Sequence, residues 1–339
     1  MKRRQLLTLL AVTGTAACGT SPAATTATAT PSGAPVSVPA PATTERLGPA
    51  LTATSPPPSP STSVSPPVTG KPGVMLGSYL ALGGRTLRQS LALRRRQLSR
   101  EQRIVHRFYP WDGYLPASEP DVAAASRLMV SWHGAPWAGI LDGGSDAMIR
   151  SVARKLKAMD RPILLRWGWE MNGDWFAWSG AANGQDPAGY VTAWRRLHRI
   201  FADQGATNVS WIWSPNWNSS PDVPWNRMQS YYPGDAYVDW VGVSGYNFYG
   251  ESPSTLFGPV TRRYGGRKPI ILSETSAVRD RARYIERLHT WVADTPAVGA
   301  VVWFDTDIQE GTDHDFRIDA DPSALAAYRS MAQDPYFNA

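Results

Sequence analysis

Two acidic residues stand where an apolar run ends. Glu170 follows Ile163-Leu164-Leu165-Arg166-Trp167-Gly168-Trp169, and Glu274 follows Ile270-Ile271-Leu272-Ser273. A carboxylate directly after a buried strand is costly unless it opens into a mouth or meets a partner. Taken singly, Glu170 has a simpler reading as an ion pair with Arg166, and Glu274 as a helix N-terminal acid facing the dipole. Taken together, among indoles, they suit glycoside hydrolysis, in which one carboxyl protonates the leaving oxygen and the other attacks the anomeric carbon or activates water. The indoles are abundant: all 15 Trp lie between Trp111 and Trp303. Trp is a demanding core residue, because its N–H needs a partner when buried. This density favours a surface that stacks on flat ligands, sugars or bases.

Such a pair needs a frame that brings two distant strand ends together. The chain has 339 residues, 42% hydrophobic and 18% charged, which suffices for a large core. Eight short apolar runs are candidate strands, at 74–79, 104–108, 127–132, 163–167, 209–213, 240–244, 270–273 and 298–304. Most are continuous and rich in Val, Ile, Leu and Trp, as expected for strands buried on both faces. Helical patterns lie between several of them. Over 146–159, Ile149, Val152, Ala153 and Leu156 share one face; over 187–202, Tyr190, Trp194, Leu197 and Ile200 do so; over 281–292, Tyr284, Leu288 and Trp291 do. The alternation fits a (β/α)8 TIM barrel over 72–335, whose chemistry belongs at the carboxyl ends of the strands. A doubly wound open sheet fits less well, since no Gly-rich phosphate loop follows the first strand.

Three segments together carry a family resemblance. Arg166…Glu170-Met171-Asn172-Gly173-Asp174-Trp175…Trp178, then Tyr232-Pro233-Gly234-Asp235 with Gly245-Tyr246-Asn247, then Lys268-Pro269-Ile270-Ile271-Leu272-Ser273-Glu274-Thr275 resemble glycoside hydrolase family 26, best known for β-mannanases. The resemblance covers most of 72–330. It implies a retaining hydrolase of β-linked polysaccharide, of mannan or glucan type, with Glu170 on strand four as general acid/base and Glu274 on strand seven as nucleophile. It implies no cofactor and no metal. The physical requirements agree. Glu170 needs a raised pKa, for which Trp167 and Trp169 would supply apolar surroundings. Tyr246 could donate a hydrogen bond to Glu274, and a retaining pair would stand roughly 5–5.5 Å apart. One position departs from the pattern. Family mannanases commonly have His before the acid, whereas this chain has Trp169, which can only stack or donate from its indole N–H. That weakens mannan as the substrate and leaves β-glucans and β-xylans open.

Further candidates surround the pair. Trp175, Trp178 and Trp303 are expected to be sugar platforms, with Trp169 beside them. His133, at the end of strand three, and Asn216, just after strand five, could bond sugar hydroxyls. Arg166 is expected to position a carboxylate, and His106 to be a satisfied core histidine. Asp305, Asp307, Asp313 and Asp315 lack the spacing of a calcium loop and read as solvated loop acids. A non-catalytic carbohydrate-binding barrel is the alternative, weakened because both carboxylates are present.

The amino terminus reads as an address. Lys2-Arg3-Arg4, a short apolar stretch and Thr15-Ala16-Ala17-Cys18 form an export signal over 1–18, too short to span a membrane. Arg3-Arg4 resembles a twin-arginine signal, and Thr15-Ala16-Ala17-Cys18 a lipobox with Thr where Leu is usual. Cys18, the only Cys, is then a lipid anchor, and the protein a cell-surface lipoprotein or a secreted one. A lone Cys also excludes an intramolecular disulfide. From 19 to 71 the chain is Pro-, Ser-, Thr- and Ala-rich and suits a disordered tether. The formal charge of +6 comes from 34 Lys and Arg against 28 Asp and Glu. Without Lys2, Arg3 and Arg4 it is 31 against 28, or +3. The only dense basic run, Arg94-Arg95-Arg96, reads as a solvated helix face. No nucleic-acid partner is expected; a monomer acting on β-linked saccharide is.

Overall fold

The computed structural model describes residues 73–337 other than 113, 310 and 311. The expected export signal with Cys18 and the expected tether lie outside the described residues. Eight parallel strands close into a barrel in chain order. They are β1 (Met75–Ala81), β2 (Ile104–Tyr109), β3 (Arg127–Trp132), β4 (Ile163–Trp167), β5 (Val209–Trp213), β6 (Trp240–Asn247), β7 (Ile270–Ala277) and β8 (Val298–Thr306). Helices α1 (Leu87–Leu98), α2 (Ala138–Leu141), α3 (Asp146–Ala158), α4 (Pro187–Asp203), α5 (Pro253–Tyr264), α6 (Arg281–Ala293) and α7 (Pro322–Gln333) cover it. The expected (β/α)8 frame is present with two gaps. Among the described residues no α-helix joins β2 to β3 or β5 to β6. Side chains from the connecting loops seal the barrel there instead: Trp111 stacks on Trp132 with ring centroids 4.5 Å apart, and Tyr231 is buried against Tyr190.

Period-two alternation sorts the strands into two faces, save at one bulge in β7. Ile104, Met129, Leu164, Ile212, Ile271, Ala300 and Val302 point inward and form the barrel floor. Their neighbours Val105, Val130, Leu165, Trp211, Trp213, Leu272 and Trp303 point outward to the helices. The helical faces read from spacing meet them: Ile149, Val152, Ala153 and Leu156 of α3 and Tyr190, Trp194 and Leu197 of α4 are buried. Five strands outrun their expected ends, β1 and β2 by one or two residues. β6, β7 and β8 continue through Gly245-Tyr246-Asn247, Glu274-Thr275-Ser276-Ala277 and Asp305-Thr306, which lack an apolar pattern but still pair. The site is built on this polar extension.

Arg94 corrects the solvated reading of its basic run. It is fully buried. Its Nε and Nη2 reach both Asp305 oxygens at 2.6 and 2.7 Å, and Nη1 lies 2.7 Å from Asp319. Asp305 is therefore no solvated loop acid; its Oδ1 also accepts from the Ile318 N–H at 3.2 Å. One guanidinium thus ties α1 to the end of β8 and to the segment that follows it. Only its neighbours Arg95 and Arg96 face water. Removing one partner leaves a buried charge uncompensated. Asp305→Asn is expected to lower unfolding free energy by about 3–5 kcal/mol in urea titration, whereas Arg95→Ala next door changes it by less than about 0.5 kcal/mol.

Candidate active site

Alternation alone would turn Glu274 away from the mouth. Along β7, Ile271 faces the interior and Leu272 the helices, so Ser273 is due inward and Glu274 outward. A bulge changes this. Val243 pairs with Leu272 but Ser244 pairs with Glu274, which leaves Ser273 as the extra residue. Ser273 still faces inward, its Oγ 2.7 Å from that of Ser214. Glu274 also faces inward, and Thr275 turns out to bond Tyr284 at 2.6 Å. Bulges re-aim side chains in this way next to functional sites.

Glu170 is aimed by its backbone. Gly168 and Glu170 have φ of +51° and +54°. Glycine adopts that conformation freely, but for a glutamate it costs about 1 kcal/mol. The surroundings hold it: the Glu170 N–H donates to the Ser214 carbonyl at 2.8 Å, and the Glu170 carbonyl accepts from the Gly173 N–H at 2.9 Å. Gly173 is required by a close approach, since a Cβ there would lie 2.4 Å from the Trp175 ring. That packing places Trp175 Nε1 3.0 Å from Glu170 Oε2, as its donor.

The two carboxyls meet different partners. Arg166, fully buried on β4, donates from Nη1 to Glu274 Oε1 and, at 3.3 Å, to Ser131 Oγ; its Nη2 donates to Ser244 Oγ at 2.5 Å. Tyr246 donates its hydroxyl to Glu274 Oε2. Burial and both carboxylates hold that hydroxyl well above its ordinary pKa, so it stays a donor. Glu274 thus carries an ion pair and a hydroxyl donor, whereas Glu170 has the Trp175 indole and the Ser244 hydroxyl and no ion pair among the described residues. Burial first, then the charge on Glu274, push the Glu170 carboxyl up from 4.5 to about 7, against the pull of Arg166, Ser244 and Trp175. Trp167 has no part in this. It faces the helices and stacks on Tyr190 at 5.5 Å.

The other expected residues divide. Trp175 and His133 are half-buried in the mouth. Burial pushes the His133 imidazole down to about 4, which keeps it neutral. Asn216 lies beside the site but gives both amide hydrogens to Asn218, at 3.0 and 2.9 Å, so its Oδ1 is what it can offer a ligand. Trp303 is not a platform. It is wholly buried on the helix side of β8, donates to the Phe316 carbonyl at 2.9 Å and packs on Tyr328. The expectation placed a strand-end Trp at the mouth, but the inward position of β8 is the next one, Phe304. Trp178 is buried as well. Phe176 stacks on it at 4.2 Å, and its N–H is held by the Trp169 carbonyl at 2.7 Å. Trp169 is 2% exposed, wedged among Phe108, His133 and Trp178 with the Arg166 guanidinium 5.1 Å from its ring centre. It packs against the site and presents no open face.

Several residues of the site escaped sequence reasoning. Tyr79, Phe108, Phe248, Phe304 and Phe316 form an aromatic wall of the mouth together with the expected Tyr246. Alternation followed to the last residue of each apolar run would have found Tyr79, Phe108 and Phe304. Ser131 and Ser244, the hydroxyl partners of Arg166, had no signal beyond the same inward phase. Asn172 fixes the loop after β5: its Oδ1 accepts from the Asn216 N–H at 2.8 Å and its Nδ2 donates to the Asn216 carbonyl at 3.0 Å.

The environment of Glu170 has a consequence for stability. Below pH 4.5 folded and unfolded chains both hold this proton; between 4.5 and about 7 the unfolded chain releases it first, and stability falls as pH rises. Above that window the penalty is complete, at about 3 kcal/mol. Glu170→Gln removes it. The variant is expected to match wild type in urea titrations near pH 4 and to exceed it by roughly that amount at pH 8.

Known proteins share this frame. The sequence profile of glycosyl hydrolase family 26 matches residues 141–315, just over half of the chain. Endoglucanase H of Acetivibrio thermocellus is 32% identical over 251 residues, 67% of this chain and 27% of that protein. Mannan endo-1,4-β-mannosidase A and B of Caldalkalibacillus mannanilyticus is 29% identical over 147 residues, 42% of this chain and 26% of that one. The chain thus spans about a quarter of the length of these curated relatives. Among solved structures, a family 26 β-mannanase from Bacteroides ovatus superposes with a TM-score of 0.58 at 17% identity, covering 78% of this chain and 90% of that one. With a closed parallel barrel, two carboxyls at the ends of β4 and β7 and a profile match across both, the chain belongs to glycosyl hydrolase family 26.

Proposed function

We propose that this chain is a retaining hydrolase of β-linked polysaccharide, with Glu170 as general acid/base and Glu274 as nucleophile. The observation that carries the proposal is the unequal support of the two carboxyls. Glu274 has Arg166 and Tyr246 as donors to its charged form. Glu170 is buried beside that charge and is pushed up to about 7. A carboxyl held protonated next to one held in an ion pair can serve as acid beside a nucleophile at one pH.

In the first step protonated Glu170 gives its proton to the glycosidic oxygen while Glu274 attacks the anomeric carbon, and a glycosyl ester forms. Esterification removes the charge on Glu274. The repulsion that raised Glu170 then falls away, and Glu170, now ionised, takes a proton from the water that opens the ester. The half-buried Trp175 holds Glu170 through its N–H and leaves part of its ring to a pyranose. The substrate is a β-glucan or β-mannan. The longer match to a protein named an endoglucanase, and Trp169 in place of His, favour glucan. We also assign the N-terminal segment to export and Cys18 to a lipid anchor, which would tether the barrel to a cell surface.

Glu170→Gln is expected to lower kcat on a soluble β-glycan by about 10²–10⁴-fold, and Glu274→Gln by at least as much. Proton NMR of the products should show the β-anomer first. Initial α-anomer would sink double displacement, and equal sugar binding with no hydrolysis in wild type would make the barrel a binding module. Because the acid must be protonated, kcat/KM on mixed-linkage glucan, mannan, β-1,3-glucan or xylan should fall as pH rises through about 7. Cys18→Ser should move the protein from the membrane fraction to the medium, and an unchanged distribution would rule out the anchor.

A further inference from the structure

His106 lies at the middle of the barrel, fully buried, and no step of the proposed reaction uses it. It projects inward from β2 between Tyr79 and Phe108, whose ring centres lie 5.9 and 4.3 Å away. Its Nε2 is 2.6 Å from Ser131 Oγ. Ser131 Oγ also receives a hydrogen bond from Arg166 Nη1 at 3.3 Å, and the same Nη1 donates to Glu274. Nδ1 of His106 is buried and meets no hydrogen-bond partner among the described residues. The four side chains form one continuous run from the second strand to the seventh.

The hydrogens in this run can be counted. Arg166 is only a donor, so Ser131 Oγ must accept from it. If His106 also donated from Nε2, both lone pairs of the hydroxyl would be used and its own hydrogen would have no acceptor in an enclosed layer. If His106 accepts at Nε2, Ser131 gives to His106 and Arg166 gives to Ser131 and Glu274, and the one hydrogen left without an acceptor among the described residues is that on Nδ1, in the ring set beside Tyr79 and Phe108. Burial and the Arg166 charge beside it both oppose a protonated imidazole. We propose that His106 is a positioning residue for Glu274, acting through Ser131 and Arg166: with its hydrogen on Nδ1, it takes the Ser131 hydroxyl hydrogen and turns an oxygen lone pair to the guanidinium. Without that acceptor the hydroxyl can rotate and Arg166 loses one of its fixed points. This rests on the assignment of Glu274 as nucleophile.

The groups facing this run are Tyr79 from β1, Arg107 from β2, Arg166 and Glu170 from β4 and its end, Tyr246 from β6 and Glu274 itself. His106→Phe keeps a ring and removes the acceptor, His106→Gln can restore an acceptor near Nε2, and Ser131→Ala cuts the run at its centre. Each is compared with wild type by kcat, KM and the pH profile of kcat/KM on the soluble β-glycan that wild type cleaves fastest. His106→Phe and Ser131→Ala are expected to lose about tenfold in kcat with KM little changed. The acid limb of the profile should move to higher pH in both, His106→Gln should recover most of the rate, and the double variant should be no worse than the poorer single one. An unmoved acid limb in Ser131→Ala, or losses that multiply in the double variant, would overturn the relay; Ser131→Ala decides the matter if His106→Phe does not fold. Glu274→Gln, run alongside, separates the two claims: if it still hydrolyses the polymer, the nucleophile assignment fails, and if it is inactive while Ser131→Ala behaves as wild type, only the relay fails.

Discussion

A guanidinium buried at the middle of a barrel cannot stand without an anion, and the site grows from that constraint. Arg166 is the inward residue of β4 one layer above the apolar floor, fully removed from water. Desolvating an ion costs several kcal/mol unless charge and hydrogen bonds replace the lost hydration. Glu274 supplies the charge, and Ser131 and Ser244 supply oxygens. This fixes Glu274 in place by an ion pair and hydrogen bonds. It also leaves Glu170 as the second carboxyl in a nearly dry space, next to an anion and without a close cation of its own. The unequal character of the two acids therefore follows from where one arginine sits.

The backbone meets this constraint with local irregularity. The β7 bulge lets Ser273 and Glu274 both face the interior, which strict alternation forbids. Left-handed geometry at Gly168 and Glu170 turns the chain so that the second acid faces the first. The first departure lies partway along β7, where its apolar run stops, and the second just past the end of β4. Aromatic rings then close the space: Trp169, Phe176 and Trp178 pack behind Glu170, and Tyr79, Phe108 and Phe304 face Glu274 from the other strands. Excluding water strengthens each electrostatic contact within.

The barrel was legible because its signals are local and repeated. Apolar runs of strand length and helices with a buried stripe give the same reading wherever they occur, and α3 and α4 bury the faces that their spacing indicates. The two glutamates were legible because an acid at the end of an apolar run needs a reason. What failed depended on phase. Trp303 and Phe304 are adjacent and both aromatic, and only strand register decides which one faces the mouth; Trp303 faces the helices. Trp167 differs from Arg166 in the same way. Arg94 lies in a run of three arginines that looks solvated, yet its partners Asp305 and Asp319 are more than 200 residues away. The bulge that turns Glu274 inward leaves no mark in Ile270-Ile271-Leu272-Ser273-Glu274 that differs from an ordinary strand.

The division between the two acids can be read directly by carbon-detected NMR titration of the Glu170 side-chain carboxyl, in wild type and in Glu274→Gln. The midpoint should lie at about 7 in wild type and move down once the neighbouring charge is removed, because that charge is the second cause of the shift after burial. A wild-type midpoint near the ordinary 4.5, or one unmoved in Glu274→Gln, would contradict the assignment of Glu170 as the acid held protonated by its burial and its partner.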